Sequence, residues 1–334
     1  MENSTCCHAF AGKVRLFGMT LRWCRIELRL CLISAYLLAG LMTSPNERKK
    51  MSKSRRVLTG LVAIAFVAFV TGCAPAETDN TAAAGCAPAD LQTLTEGKLT
   101  IGTDSPAYGP WFVDDDPSNG EGYESAVAYA VAEELGFAAS DVVWTVATFD
   151  SVIAPGEKAF DFDINQVSIT EERKQAVDFS EGYYDVAQAL ITLKGSKLDG
   201  ATSIAELKDA TLGAQVGTTS YNTIADVIVP NTEIQAFNSN DIAREALASG
   251  LIDGLVVDLP TAFFMTAVQI EDGVIAGQFA PQTVGEQFGL VLNLDSPLTE
   301  CVSKAVKTLK DNGTLADIEQ TWLADVTNAP FFTE

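Results

Sequence analysis

Residues 189–223, ALITLKGSKLDGATSIAELKDATLGAQVGTTSYNT, decide the fold. An apolar run over 186–193 has strand length and leads into a new β-α-β series, because 211–216 is again apolar and is followed by Gly217. The series continues with strands expected at 234–237, 254–258 and 273–277 and helices at 219–228, 239–249 and 260–269. Upstream, LTIGT (99–103), VVWTVA (142–147) and FDINQV (162–167) read as strands. Residues 122–135 carry helical spacing that stops at Gly136, and 150–159 is a weaker helix. A further helix is expected to begin near Thr170, whose hydroxyl would cap it with Glu171 and Glu172 in the first turn. Downstream come a strand at 288–295 and helices at 297–311 and 314–324. Such alternation predicts an α/β protein with two parallel or mixed sheets, the second inserted into the first. No internal repeat of solenoid period is present.

Charge divides the chain. Through Cys73 there are eleven of the 22 Lys and Arg but three of the 44 Asp and Glu. Beyond Cys73 the only arginines are Arg173 and Arg244. Nucleic-acid binding needs clustered cations to displace counterions, and the acidic part has none. The single histidine is His8, which excludes His-based triads and His-ligated metal sites from the acidic part.

Residues 51–56, MSKSRR, form a basic region ahead of an uncharged, mostly apolar run, 57–72, that ends in small residues before Cys73. This is the pattern of an export signal, short for a membrane span of ~20 residues. Its end, VTGC (70–73), resembles the lipobox of bacterial lipoproteins, in which the cysteine carries lipid. Such a signal belongs at the very N-terminus, so 1–50 is expected to be absent from the mature protein. Residues 73–92, rich in Ala, Pro, Thr and Asp, read as a flexible tether. Apart from Cys73 and the four cysteines of 1–50, Cys86 and Cys301 remain. An even pair in an exported chain predicts a disulfide, the alternative being two free thiols.

Three candidate sites fall at strand ends, where ligands of such sheets bind. Ser168–Arg173 offers a guanidinium that can grip both oxygens of a carboxylate; the plainer alternative is a surface arginine paired with Glu171 or Asp178. Gly217-Thr218-Thr219-Ser220 offers amides and hydroxyls for an anion, or simply a capped helix start. Asp258 can accept an ammonium, or cap the helix that opens at Leu259-Pro260. One cation, one nest of amides and one anion together suit a zwitterion.

These residues resemble a family. LTIGTDSPAYGPWF, GYESAVAYAVAEELG, SITEERKQAVDFSEGYY, GAQVGTTS, IDGLVVDLPTAFF and LKDNGTLADIEQTWL are similar to motifs of the extracellular solute-binding proteins of amino-acid ABC importers, family 3, the polar amino-acid binding group. The resemblance runs from about Lys98 to Phe332. It implies the two-lobed type II periplasmic-binding-protein fold with two crossover strands, lobe 1 being 93–190 plus 286–334 and lobe 2 being 191–285. It implies a lipoprotein, anchored to the outer face of the cytoplasmic membrane, that hands a polar amino acid to a permease. Neither enzymatic activity nor a cofactor is implied, and a monomer is expected. By position, Arg173 would clamp the α-carboxylate, helped by Ser168, Thr218 and Thr219, and Asp258 would take the α-amino group. Asp104 and Tyr108 would line the side-chain pocket, Phe149 would stack on the ligand, and Asn165 and Gln166 would lie near the amino group. Gln166 departs from the small residue common there, and either Tyr108 or Trp111 could face the cleft. Glutamine, arginine and lysine all fit Asp104. The rival functions are an exported dehydratase on the same scaffold, and a sensor serving a signalling partner.

Overall fold

A computed structural model describes residues 85–280, 286–323 and 329–333. The export signal, the lipidation site Cys73 and residues 1–50 lie outside the described residues.

The first sheet holds strands in the order β2-β1-β3-β10-β4: β1 Leu99–Thr103, β2 Val142–Val146, β3 Phe162–Asp163, β4 Val177–Asp185 and β10 Gln287–Asn293. β1 pairs in parallel with β2 and β3, and β10 runs antiparallel to β3 and β4. The second sheet has the order β7-β6-β8-β5-β9, built from β5 Gln188–Leu193, β6 Leu212–Gln215, β7 Gln235–Phe237, β8 Gly254–Asp258 and β9 Gly273–Gln278. Here β6 is parallel to β7 and β8, whereas β5 is antiparallel to β8 and β9. Both sheets are therefore mixed. The chain passes between them twice, from Asp185 to Gln188 and from Gln278 to Gln287.

Helix α1, Tyr123–Glu134, shows why the local sequence folds as it does. Val127, Ala128, Val131 and Ala132 make one buried stripe against the first sheet. Its end is a Schellman turn: Gly136 at φ +85° donates to Glu133 O at 2.8 Å, and Phe137 N–H reaches back to Ala132 O at 2.9 Å. α2, Phe149–Ile153, is shorter than the expected helix at 150–159. In the second sheet's layers lie α3 Ile204–Leu207, α4 Thr219–Asn222, α5 Asn240–Ala248 and α6 Leu259–Phe264. α4 and α6 each run on into a π-helical turn. α7, Thr299–Asp311, and α8, Thr314–Trp322, return to the first sheet's core, where Val302, Val306, Leu309 and Leu315 are buried.

Four expectations are corrected. The strand expected at 162–167 stops after Asp163, because Gln166 turns into the left-handed region at φ 49°. The helix expected from Thr170 is only a 3₁₀ turn, Arg173–Gln175; Thr170 Oγ1 does accept from Arg173 N–H at 3.1 Å, but β4 begins two residues later. Residues 85–92 are packed rather than tethered: Cys86 is bonded to Cys301, and Leu91 joins the first core. The chain end does not belong with the first lobe. Phe331 bridges Gln278, Thr333 bridges Ser203, and Phe332 is buried against Phe279 on the second sheet.

Candidate functional site

Between the two sheets lies a cavity of about 40 Å³. From the first sheet's side it is lined by Asp104, just beyond β1, by Tyr108, Phe149, Asn165 and Gln166, and by Ser168 and Arg173. From the second sheet's side come Thr218 and Thr219 after β6, and Asp258 at the end of β8. All ten candidate ligand-binding residues thus surround one space.

Arg173 is its only cationic lining residue among the described residues. It is buried, 8% exposed, and donates from Nη1 to Ser168 O at 2.7 Å and from Nη2 to Gly217 O at 2.9 Å. Its guanidinium lies 5.4 Å from the centre of the Phe149 ring. The surface pairing is not made: Lys174 holds Glu171, and Asp178 accepts from Thr299. A guanidinium has five donors, so carbonyls occupy two and leave three. Gly217 sits at φ +75°, a backbone that suits glycine and turns its carbonyl toward Arg173.

Thr218 behaves as the plainer alternative had it. Its hydroxyl accepts from Tyr221 N–H at 3.1 Å and donates to Gln215 O at 2.7 Å, capping α4. The first amides of α4 lack intrahelical acceptors by geometry, and Thr219 Oγ1 lies 3.3 Å from Ser168 Oγ.

Asp258 stands at the N-cap of α6 but makes no cap bond. Its carboxylate instead accepts from Gln188 Nε2 at 2.7 Å. Burial, followed by the nearby Glu286 carboxylate, pushes its pKa up to about 8. Asp104 accepts from Ser105 N–H at 2.7 Å and Phe149 N–H at 3.2 Å, yet burial still raises its pKa. Tyr108 faces the cavity, with Asp241 at its hydroxyl, whereas Trp111 is fully buried, edge-on to Tyr184 and Phe288, with Nε1 donating to Thr261 at 2.9 Å.

Three bracing residues escaped the sequence reading. Gln188 and Glu286 sit on the two crossings. Glu286 accepts from Ser168 Oγ at 2.8 Å, and Gln188 accepts from Ser220 Oγ at 2.6 Å. Their meeting spans 98 residues and leaves no local signal. Glu124 holds Gln166; a carboxylate on the buried stripe of a helix, in register with Val127, Ala128 and Val131, was the available clue. Among the described residues no cluster of His, Cys, Asp and Glu could hold a metal ion.

Comparison with known proteins converges on this architecture. Residues 99–325 match the family described as bacterial extracellular solute-binding proteins, family 3. A probable histidine-binding protein of Campylobacter jejuni is 27% identical over 78% of this chain and 95% of its own. The arginine-binding extracellular protein ArtP of Bacillus subtilis is 29% identical over 67% of this chain and 86% of its own. An ancestral arginine-binding protein, solved with arginine bound, superposes with a TM-score of 0.57 at 30% identity, covering 68% of this chain and 98% of that one. The ancestral amino-acid-binding protein AncCDT-1, a precursor of cyclohexadienyl dehydratase, gives 0.55 at 28% identity over 68% of this chain and 95% of that one. The chain belongs to the family 3 solute-binding proteins, the amino-acid-binding proteins of ABC importers, and has the type II periplasmic-binding-protein fold.

Proposed function

We propose that this protein captures a polar amino acid between its two sheets and delivers it to a membrane permease, held at the outer face of the cytoplasmic membrane by lipid on Cys73. The sheets with their helices act as two lobes, joined where the chain passes from one sheet to the other. The observation that carries the reading is a buried arginine with no ion-pair partner among the described residues, facing the same cavity as Asp258. A ligand α-carboxylate takes the remaining donors of Arg173, with Ser168, Thr219 and the amides after Thr218 beside it. The ammonium pairs with Asp258, near Asn165 and Gln166. Phe149 packs on the ligand, and Asp104 and Tyr108 meet its side chain. Because Arg173 and Asp258 belong to different sheets, a zwitterion rewards the closed form, and only such differential contact shifts the equilibrium.

A thermal-shift screen of the twenty amino acids tests this. A ligand at 100 times its Kd adds about 2.7 kcal/mol, worth roughly 5–10 °C for a domain of this size. No shift with any of them overturns the reading. The dehydratase alternative predicts chemical change in a bound cyclic acid, so recovery of unchanged ligand from the complex counts against it.

A further inference from the structure

Trp111 belongs to the first sheet's core and Thr261 to helix α6 of the second sheet's layers, and neither lines the cavity. Trp111 Nε1 nevertheless donates to Thr261 Oγ1 at 2.9 Å, across 150 residues of chain. Each end is fixed by its own layer. The indole is fully buried and edge-on to Tyr123, Tyr184 and Phe288, and the Trp111 carbonyl accepts from Glu124 N–H at 2.9 Å in the first turn of α1. Thr261 is buried too, on a helix whose Leu259 and Ala262 belong to the second core. An indole N–H can only donate, so a buried one without its acceptor is left unpaired.

A second contact lies three residues further along the same helix. The Phe264 ring rests on Gly109, where any side chain would bring its Cβ within 2.5 Å of Phe264 Cε2. Gly109 is not in the left-handed region, so glycine serves there for close approach rather than for conformation. Thr261 and Phe264 are spaced i, i+3 and share a helix face. Residues 109–111 are thus a seat on the first sheet's side for α6. Asp258 immediately precedes this helix, three residues before Thr261, while Arg173 lies on the first sheet's side. Where α6 sits therefore decides where Asp258 stands relative to Arg173.

We propose that Trp111 is a positioning residue, which through Thr261 seats α6 against the first sheet's side and so holds Asp258 in place for the ligand when the lobes are together. This rests on the two-lobe, amino-acid reading above. The bond runs from one lobe to the other, so it is made in the closed form and lost as the lobes part. By that difference it raises ligand affinity without touching the ligand.

A double-mutant cycle on ligand affinity tests the proposal with the whole mature protein. The probes are the twenty L-amino acids, with calorimetry on each one that raises the melting temperature of the wild type. Thr261→Val removes the acceptor at nearly constant shape and leaves the indole N–H unpaired, so Kd should rise about tenfold. Trp111→Phe removes the donor and should have a similar effect. The double variant should bind no more weakly than the weaker single one, because both partners of one bond are then gone. Thr261→Ser keeps the oxygen and should bind within about twofold of the wild type, which separates the bond from packing of the methyl group. The two Thr261 variants decide the matter if Trp111→Phe does not fold. A merely structural bond, present in both forms, lowers the melting temperature of the unliganded variants and leaves Kd unchanged. That result, or additive losses in the cycle, overturns the proposal while the amino-acid reading stands. Binding of none of the twenty to the wild type overturns both.

Discussion

Ligand binding should release a proton from Asp258. The site holds this carboxyl at about 8 rather than 3.8, because burial disfavours the charge, Glu286 adds like charge, and the Gln188 hydrogen bond and Arg173 offset only part of this. A ligand ammonium at the carboxylate favours the ionised form and returns it toward the ordinary range. At pH 7 a group of pKa 8 is about nine-tenths protonated, so binding should expel about 0.9 proton. The sign follows: affinity rises with pH, because the unliganded state binds the extra proton. Between pH 6 and pH 8 the apparent Kd should fall about 50-fold, following the shrinking protonated fraction.

Calorimetry in buffers of different ionisation enthalpy counts the protons directly. The slope of observed enthalpy against buffer enthalpy should give about 0.9 at pH 7 and about 0.5 at pH 8. Asp258→Asn should abolish the release and flatten the pH dependence while weakening binding by ~10²-fold or more, since it removes one member of a desolvated charge pair. Fewer than about 0.2 protons released at pH 7, or equal release from wild type and Asp258→Asn, refutes the argument. Asp104 is the internal control: its carboxyl is also raised, but the proposed pose sets it against the ligand side chain rather than the ammonium, and Asp104→Asn should leave most of the release intact.

Arg173→Ala should weaken ligand binding by about 10²-fold or more, and unchanged affinity in calorimetry removes Arg173 from the site. The bridge between Cys86 and Cys301 closes 215 residues of chain, so the double serine variant should lose roughly 2–5 kcal/mol in urea unfolding, with ligand affinity retained. Two raised carboxyls, Glu124 at about 7 and Asp258 at about 8, contribute stability that is complete below their ordinary values and lost as pH rises through 7 and 8. The unliganded protein should therefore melt at least ~3 °C lower at pH 8.5 than at pH 5.5, and a flat or rising melting curve contradicts this. Gly217→Ala places a side chain at φ +75° and disturbs the carbonyl that Arg173 donates to, so ligand affinity should fall by ~10-fold in the same calorimetry.

What the sequence revealed depended on whether the deciding force was local. β1 and β8 fall on the expected residues, and α1 ends at the expected glycine, because hydrophobic period and glycine stops act within a few residues. β4 was missed because VDFSEGYYD breaks apolar alternation with Ser180, Glu181 and Gly182; its place comes from antiparallel pairing with β10, more than a hundred residues away. The cavity's ten candidates were legible for a related reason. Each lies at or near a strand end or helix start, where the chain's direction places side chains at the sheet margin. Their electrostatics were not legible. Asp258 reads as an N-cap in sequence, and only the crossing residues Gln188 and Glu286 convert it into a buried, proton-holding carboxyl. Gln166 reads as the fifth residue of a strand, and only Glu124, 42 residues earlier, turns it out of the sheet. A variant at Glu124 or Gln188 should therefore alter binding without touching a residue that local pattern marks as a ligand contact.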